Sequence, residues 1–346
     1  MEERILLAHG SGGKLSHELV EKVFVHQFSN PALNALDDSG VLEFPGAAAS
    51  SISSAKDGQL AFTTDSYVVV PLFWPGGDIG RLAVCGTVND LSMVGARPLY
   101  LSAGFIIEEG LPLATLVKVA ASMAGAARES GISISTGDTK VVEKGGADKL
   151  FINTAGIGYI PNSRRITGSG AEPGDAIIIS GYIGDHGIAV MAQREDLPFK
   201  TTVCSDVAPL NHLVATMLEA SDQIHVLRDP TRGGVATVLK EIALKSNVAM
   251  MIYEDRLPIR QQVAAACEML GYDPLYVANE GKLIASVSSQ DVDKVLAAMR
   301  RTRYGEDSTI IGEVLPQPQS KVLMRTRVGG TRIVDMLVGE MLPRIC

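Results

Sequence analysis

Six aspartates at strand ends or loop turns are the residues of this sequence best suited to chemistry. Magnesium prefers oxygen ligands and usually holds phosphates through a few carboxylates plus water. Several acidic side chains gathered at the mouth of one cleft could therefore bind Mg²⁺ and ATP. The six are Asp37, Asp38, Asp65, Asp90, Asp138 and Asp229.

A single aspartate in such a position is more often a cap or turn residue than a ligand. Asp90 is harder to dismiss because it follows Asn89 within an otherwise apolar helical pattern. A carboxylate buried there is costly unless it is paired or bound to a metal.

Glu280 lies in "NEGK", immediately before the apolar run "LIASV". A carboxyl group at a loop beside a buried strand can have a raised pKa and can act as a general base. A salt bridge to Lys282 explains the same local sequence equally well. The residues alone leave both interpretations open.

A glycine-rich segment, "AHGSGGK", occupies residues 8–14. Its glycines would let backbone N–H groups approach an anion, and Lys14 could add positive charge beside a phosphate. The spacing is not that of a P-loop, and no clear strand precedes it. A flexible N-terminal turn is the simpler interpretation of this segment by itself.

The chain ends on Cys346, directly after Pro-Arg-Ile. A terminal thiol cannot help to hold a core, so it is either incidental or a reacting group. Cys85, Cys204 and Cys267 form no CxxC pair, which suits a reducing compartment and excludes a zinc ribbon. The six histidines have no metal-ligand spacing, and His186 in "GDHG" is interpreted as a loop or helix-start residue.

Alternating strand and helix patterns must position these groups. A β-branched run at 60–70 predicts the strand that carries Asp65, and a helical pattern over 78–96 carries Asp90. A stretch at 161–175 rich in Gly, Pro and Ser predicts a domain boundary, and the alternation resumes after it. The pattern predicts two α/β sandwiches. Further predicted helices cover 111–131, 206–220, 233–246, 259–271 and 290–302, and further strands lie in "RPLYLSAGFII", "ISISTGDTKVV", "LFINTAGIGYI" and "AIIIS" and near 248–253, 282–287 and 308–315.

Composition narrows the class of protein. The 346 residues are 46% hydrophobic and 20% charged, which excludes global disorder. The formal net charge of −8 argues against nucleic acid as a partner, because phosphate backbones are usually bound by a basic face. No apolar run approaches the ~18 residues of a membrane span, and "MEERILLAHGSGG" lacks the apolar core of a signal peptide. We expect a soluble, cytoplasmic protein without a membrane partner.

Eight motifs in fixed order resemble one family across nearly the whole chain. They are "HGSGGK", "TTDSYVV", "GTVNDLSMVGARP", "TGDTKVV", "SGYIGDHG", "RDPTRGG", "NEG" and the terminal "PRIC". Together they are similar to the carbamoyl dehydratases of hydrogenase maturation, which belong to the aminoimidazole-ribonucleotide-synthetase-like (PurM-like) superfamily. The combination of "TGDTKVV" with "PRIC" is specific to that member.

The resemblance implies an α/β (α+β) fold of two domains, each a mixed sheet packed with helices, with the N-terminal domains paired in a homodimer. The ATP-binding and dimerisation domain would span 1–160, the second domain 161–338, and a mobile tail 339–346. Metal ligands would be Asp38, Asp90 and Asp229, and nucleotide-binding residues would be Gly10, Gly12, Gly13, Lys14, Asp65, Asn89 and Asp138. Asp138 and Lys140 of "TGDTK" would line the same cleft as ATP.

The same resemblance assigns the chemistry. A carbamoyltransferase, HypF, would load a carbamoyl group onto Cys346. The ATP γ-phosphate would activate the amide oxygen, Lys140 and Mg²⁺ would neutralise charge, and Glu280 would remove the nitrogen proton. The resulting thiocyanate would supply cyanide to iron held by a HypC–HypD scaffold and destined for a nickel–iron hydrogenase.

Two alternatives compete with this interpretation. Selenophosphate synthetase, in the same superfamily, carries a reactive cysteine or selenocysteine in its glycine-rich loop, whereas the first cysteine here is Cys85. A non-enzymatic scaffold with a modified terminal cysteine is the other. A lipidated terminus usually needs a CaaX box or an upstream polybasic run, and this sequence has neither.

Overall fold

The computed structural model describes residues 9, 13–43, 58–161, 166–194, 201–337 and 345. Within these ranges the chain forms two α/β units, each built on its own sheet. None of the described helices combines the length and apolar character that a membrane span requires.

The first unit is a five-stranded sheet with the order β1-β2-β7-β5-β6. Only the β5–β6 pair is parallel, and the other neighbours are antiparallel. β3 and β4 form a separate two-stranded hairpin. The strands are β1 Gly40–Glu43, β2 Gln59–Tyr67, β3 Phe73–Trp74, β4 Gly77–Asp78, β5 Arg97–Glu108, β6 Ser133–Val142 and β7 Leu150–Ile160. The helices are α1 Lys14–Leu19, α2 His26–Phe28, α3 Pro31–Asn34, α4 Ile79–Met93 and α5 Leu113–Ser130, with a π-helical segment at Val20–Val25.

Helix α4 is the centre of the first unit. Asp78 caps its N-terminus, with Oδ1 accepting hydrogen bonds from the backbone N–H of Gly80 (2.8 Å) and Arg81 (3.1 Å). Apolar residues surround nearly the whole helix, as expected for one buried on all sides. It packs on β2 and β7 and against α5. Asp90, near its C-terminal end, is therefore held on a rigid element.

The second unit is a seven-stranded sheet with the order β14-β13-β10-β12-β8-β11-β9, in which only β10 and β13 are parallel neighbours. Successive residues of β8 face opposite sides: Ile177 and Ile179 pack in the cluster that includes α8, and Ile178 packs in the cluster of α7 and α10. The strands are β8 Asp175–Ile179, β9 Ile224–Arg228, β10 Ala249–Tyr253, β11 Ile284–Ser288, β12 Thr309–Leu315, β13 Lys321–Arg325 and β14 Thr331–Val334. The helices are α6 Asp185–Met191, α7 Asn211–Ala220, α8 Gly234–Ser246, α9 Gln261–Leu270 and α10 Val292–Arg300, with 3₁₀ turns at Glu254–Arg256 and Pro274–Tyr276.

These elements confirm the predicted mixed sheets and the predicted helices, whose ends agree to within a few residues. Ten short strands and helices were not predicted: β1, β3, β4, β9, β13, β14, α1, α2, α3 and α6. The predicted first domain, residues 1–160, also includes a segment that packs on the second unit. Both α1 and the chain after α3 contact that unit. His17 bonds to Glu241 of α8 (2.7 Å), and Lys245 Nζ donates to the carbonyl oxygen of Ala35 (2.9 Å).

Candidate active site

The loop between β9 and α8 presents Asp229 at the edge of the second unit. Gly233 and Gly234 follow with φ values of +81° and +63°, which side-chain-bearing residues rarely adopt. A Cβ atom on Gly234 would lie 2.4 Å from the carbonyl oxygen of Leu275. The loop therefore depends on glycine to turn sharply into α8, leaving the buried Asp229 beside Arg232.

The first unit brings Asp65 of β2 and Asp90 of α4 to the same place. Thr63, also on β2, donates a hydrogen bond from Oγ1 to Asp90 Oδ2 (2.9 Å). A Cβ atom on Gly86 would lie 2.3 Å from the Tyr67 hydroxyl, so the glycine permits the close approach of α4 to β2.

A cavity of about 330 Å³ opens between the two units. It adjoins a smaller pocket of about 40 Å³. Asp90, Asp229, Thr231 and Arg232 line both spaces. The larger cavity also has His9, Ser16, His17, Asp38, Arg228, Val238 and Glu241 in its wall, and the smaller has Asp65, Ser66, Tyr67, Gly86 and Glu280.

Glu280 is 3% exposed and reaches the smaller pocket. No described residue hydrogen-bonds its Oε1 atom. Lys282 ion-pairs with Asp206 instead (3.2 Å), and Asp206 also accepts a hydrogen bond from the Glu280 backbone N–H (3.1 Å). The salt bridge from Lys282 to Glu280 considered from the sequence is therefore wrong. An unpartnered carboxyl oxygen aimed into a pocket is available for a proton or a ligand.

The pKa values of five clustered carboxyl groups shift upward, whereas that of Glu241 is lowered, against the effect of its burial, by its hydrogen bond to His17 and the charge of Arg228. Burial is the first cause, and it raises the pKa of Asp229 to about 6 and that of Asp38 to about 8. Burial and then the charge of Asp229 raise the pKa values of both Asp90 and Glu280 well above the usual range. The pKa of Asp65 is also raised by burial. The cavity thus favours either protons or a bound cation.

Sequence reasoning missed the positive side of the cavity. Arg228 forms ion pairs with Asp38 (Nε to Oδ1, 3.1 Å) and Glu241 (Nη2 to Oε2, 2.6 Å). His17 bonds to the other oxygen of Glu241 (2.7 Å), and this bond raises the histidine's pKa. The signal for Arg228 was present, since it directly precedes Asp229 in "RDPTRGG". Nothing in the local sequence indicated the contact between His17 and Glu241, because 224 residues separate them.

The donor set suits a hard cation that keeps water and phosphate ligands. Among the described residues, no three acidic, histidine or cysteine side chains converge as a preformed metal centre. Mg²⁺ usually takes one or two protein carboxylates and completes its shell with water and substrate phosphates. Asp90 and Asp229, on facing walls with raised pKa values, fit that role. Asp38 fits it less well because Arg228 already pairs with it.

Asp138 and Lys140 are not brought to this cavity within one chain. They lie on β6, three strands from β2, in the cross-strand row Asp138–Gly104–Asn153–Ser66. At ~4.8 Å per strand this is about 14 Å. Both side chains are about two-thirds exposed, and Lys140 Nζ lies 2.6 Å from Asp138 Oδ2. The expectation that they line the cleft is not met by the single chain.

The side chain of Asn89 bonds to the second unit and not to groups that line the cavity. Its amide nitrogen donates to the carbonyl oxygens of Ala208 (3.1 Å) and Glu280 (3.4 Å), and Oδ1 accepts from the Leu210 N–H (2.8 Å). Consecutive helical residues point about 100° apart, so Asn89 faces away when Asp90 faces the cavity. Asn89 joins α4 to the second unit.

Some of the remaining candidate residues are described but lie outside the cavity wall, and others lie outside the described residues. Lys14 is exposed, with Nζ 3.9 Å from Glu18 Oε1, and its backbone N–H donates to the Leu337 carbonyl (3.1 Å). Gly13 packs against Leu337, where an added Cβ would lie 2.4 Å from the carbonyl oxygen. Asp37 is occupied by the Gly168 N–H (2.9 Å). Gly10, Gly12 and Cys346 lie outside the described residues.

Comparison with known proteins gives a consistent result. The sequence matches the N-terminal domain of AIR synthase related proteins over residues 36–160 and the C-terminal domain over residues 172–325. It is 51% identical over 343 residues to "Carbamoyl dehydratase HypE" of Cupriavidus necator, covering 99% of this chain and 95% of that protein.

Two solved structures extend the similarity. HypE in complex with ATP has a TM-score of 0.80 at 49% identity, covering 99% of this chain and 100% of that one. The HypE–HypF complex gives a TM-score of 0.85 at 49% identity, covering 92% of this chain and 99% of that one.

Proposed function

This chain belongs to the HypE family of carbamoyl dehydratases within the AIR synthase related proteins, and we propose that it dehydrates a carbamoyl group carried on its own Cys346. The reaction uses ATP, converts the S-carbamoyl group to a thiocyanate, and supplies cyanide ligands for the iron of nickel–iron hydrogenase. The observation that carries the proposal is the convergence of five carboxyl groups of raised pKa on the cavity between the two units and the smaller pocket that adjoins it.

The first step transfers a phosphoryl group. The oxygen of Cys346 S–C(=O)–NH₂ attacks the ATP γ-phosphorus, the bond to the β-phosphate breaks, and ADP leaves. The nitrogen releases one of its two protons to solvent in this step, which gives S–C(=NH)–O–PO₃²⁻ with one N–H proton remaining. Asp90 and Asp229 would hold Mg²⁺, which when bound neutralises the phosphates. Arg228 and Arg232 supply further positive charge from the cavity wall. Phosphoryl transfer depends mainly on such positioning and electrostatics.

The second step removes a proton and expels phosphate. The activated group, S–C(=NH)–O–PO₃²⁻, loses its N–H proton to a base as the C–O bond breaks, which leaves S–C≡N and inorganic phosphate. Glu280 is the proposed base. Its Oε1 atom has no hydrogen-bond partner among the described residues, and its raised pKa brings it closer to the basicity that catalysis near neutral pH requires.

Lys140 can serve this site only from a second copy of the chain. All of β6 is solvent-accessible, and on its outer edge it pairs with no other described strand. Beside it, the exposed side chains of Phe62, Ile157 and Tyr100 form one cross-strand row. An exposed edge next to an apolar patch favours association with another sheet. We therefore place the predicted homodimer on this face, with Asp138 and Lys140 at the junction.

The partners follow from the family. HypF is the proposed carbamoyl donor, and a solved HypE–HypF complex of similar sequence supports this. The HypC–HypD iron scaffold is the proposed cyanide acceptor. Carbamoyl loading needs Cys346 as a free thiol and cyanide transfer returns it to one, a state that the reducing cytoplasm maintains.

The mass of the C-terminal peptide tests the reaction. After incubation with HypF and carbamoyl phosphate, the peptide should gain one carbamoyl group on Cys346. Addition of Mg-ATP should then remove one water from it. A peptide that stays unmodified while ATP is hydrolysed would contradict the proposal and favour another small-molecule substrate.

A further inference from the structure

The penultimate residue of the chain lies inside the protein. Ile345 is 2% exposed and belongs to the same apolar cluster as Trp74, Val207 and Ala278. Its backbone carbonyl oxygen is 2.7 Å from Nε2 of His186, in the first turn of α6. The end of the chain therefore has a specific polar contact as well as an apolar pocket.

The chemistry of this contact defines the state of the histidine. A carbonyl oxygen can only accept a hydrogen bond, so Nε2 must carry the proton. Burial lowers the pKa of His186, which favours the neutral ring. In that form Nδ1 accepts from the hydroxyl of Ser205 at 2.8 Å, and Ser205 Oγ in turn accepts from the Val207 N–H (3.2 Å). Ser205 thus fixes the tautomer that donates to Ile345.

The same histidine is joined to the loop that carries the base. Ser205 precedes Asp206, which accepts a hydrogen bond from the backbone N–H of Glu280 (3.1 Å). The Gly187 N–H donates to the Ala278 carbonyl (3.1 Å), and the Gly184 N–H donates to the Asn279 side chain (2.8 Å). A residue held by His186 is therefore held close to the Glu280 loop.

We propose that His186 is a positioning residue that latches the chain end inside the protein through the Ile345 carbonyl, so that the following residue, Cys346, is presented to the cavity. The proposal rests on the proposed function of Cys346 as the carrier. It explains why the histidine of "GDHG" is buried and neutral with no part in the acid–base chemistry. Because the contact is to a backbone carbonyl, it recognises the position of the terminus whatever group the thiol carries.

The test compares two variants of His186 in a Cys204→Ser background. Cys204 is exposed, whereas Cys85 and Cys267 are buried with pKa values raised to about 12 and about 11, so Cys346 becomes the reactive thiol to follow. His186→Phe keeps a planar ring but removes the N–H donor. His186→Gln keeps an N–H donor at nearly the same distance from the backbone.

Alkylation of Cys346 by iodoacetamide, read from the mass of the C-terminal peptide, requires neither ATP nor dehydration. We expect His186→Phe to raise the alkylation rate about five- to tenfold, which corresponds to the loss of one net hydrogen bond. His186→Gln should stay within about twofold of the parent. Equal rates in all three proteins would overturn the latch, and so would an equal increase in both variants, which would indicate packing.

A second measurement leaves His186 intact. Trp74 is the only tryptophan, and its ring contacts the His186 ring edge-on (centroids 5.7 Å apart). A chain that ends at Arg344 should show a shifted tryptophan emission, because the Ile345 side chain and its hydrogen bond are lost. Unchanged emission would contradict the latch. Since neither readout depends on turnover, a protein with the latch but without carbamoyl dehydration would refute the proposed function alone.

Discussion

The interdomain cavity and the exposed strand β6 use the same residue types under opposite electrostatic conditions. In the cavity, burial raises the pKa values of Asp90 and Asp229, and no lysine reaches them in the described structure. On β6, Asp138 is exposed and its pKa is lowered by a hydrogen bond from Lys140. The carboxylates of the cavity need a cation, whereas that of β6 already has one.

This difference separates two kinds of site residue. The cavity groups are chemically incomplete within one chain, which is what a site that binds a metal and phosphates requires. Asp138 and Lys140 are complete as a pair but remote from the cavity. The cavity residues and the β6 pair can be mutated separately, and variants of each region test whether the two regions act together.

Replacing Asp229 by Asn should have the largest effect on ligand binding. Loss of a carboxylate beside Asp90 is expected to weaken Mg-ATP binding at least about 100-fold, a charge-pair loss of a few kcal/mol. Calorimetric titration measures this. Asp255→Asn, which changes an exposed carboxylate on a 3₁₀ turn, is the matched control and should bind normally.

The same variant should fold more stably without ligand. The folded-state pKa of Asp229 is raised, so its favourable contribution exists at low pH and is lost as pH rises through about 6. Near pH 8 the buried charge is a cost that Asn removes, worth about 1–3 kcal/mol. A lower melting temperature for the ligand-free variant would contradict this account of the cavity.

Complementation tests whether β6 serves the partner's cavity. Asp90→Asn and Lys140→Ala should each be inactive alone. Mixed dimers would contain one cavity with an intact Asp90 and an intact Lys140 from the other chain. Random mixing makes half the dimers heterodimeric, so about a quarter of the parent activity should return. No recovery would mean that Lys140 acts within its own chain. Lys144→Ala is the control and should remain active on its own.

The pH dependence of Mg-ATP binding should follow the cavity and not the strand. The raised pKa values of Asp229, to about 6, and of Asp90, well above its usual range, mean that the metal must compete with protons. Affinity should therefore increase as pH rises from about 5 to 8, by up to about tenfold per unit for one released proton. Asp229→Asn should flatten the lower part of this profile, and Asp138→Asn should leave its slope unchanged. A profile in Asp229→Asn as steep as that of the parent would exclude Asp229 from the response.

Asn89→Ala should affect stability far more than affinity. It removes three hydrogen bonds to buried backbone groups, at a cost of about 2–4 kcal/mol, yet no contact with the nucleotide. Thermal unfolding should show the loss, and the folded fraction should bind Mg-ATP within about twofold of the parent. A large loss of affinity would restore Asn89 to the site.

Long periodic elements were predictable from the sequence, and short ones were not. Helix α4 was expected over 78–96 and observed at Ile79–Met93, because fifteen mostly apolar residues leave little ambiguity. Strands β9, β13 and β14 have four or five residues each, too few for a period to emerge. Helix α6 was hidden because the glycines of "GDHG" resemble a turn.

Site residues could be predicted where the residue type itself was informative. They could not be predicted where contacts with residues distant in sequence determine what a side chain does. Asp90 was identified as a candidate because a carboxylate within an apolar helix is costly to bury unless it is paired or bound to a metal. The surroundings of its neighbour could not be predicted locally, because Asn89 bonds to backbone groups more than 100 residues away. The Glu280 alternatives could not be resolved locally because the true partner of Lys282 is Asp206, 76 positions earlier.

The role of Glu280 is the central claim, and a single-turnover assay tests it most directly. Chain carbamoylated on Cys346 is mixed with Mg-ATP, and the mass of the C-terminal peptide is followed in time. Glu280→Gln should bind ATP normally yet form thiocyanate about 10²–10⁴-fold more slowly, so the carbamoyl form accumulates. Dehydration by Glu280→Gln at the parent rate would show that another group removes the proton.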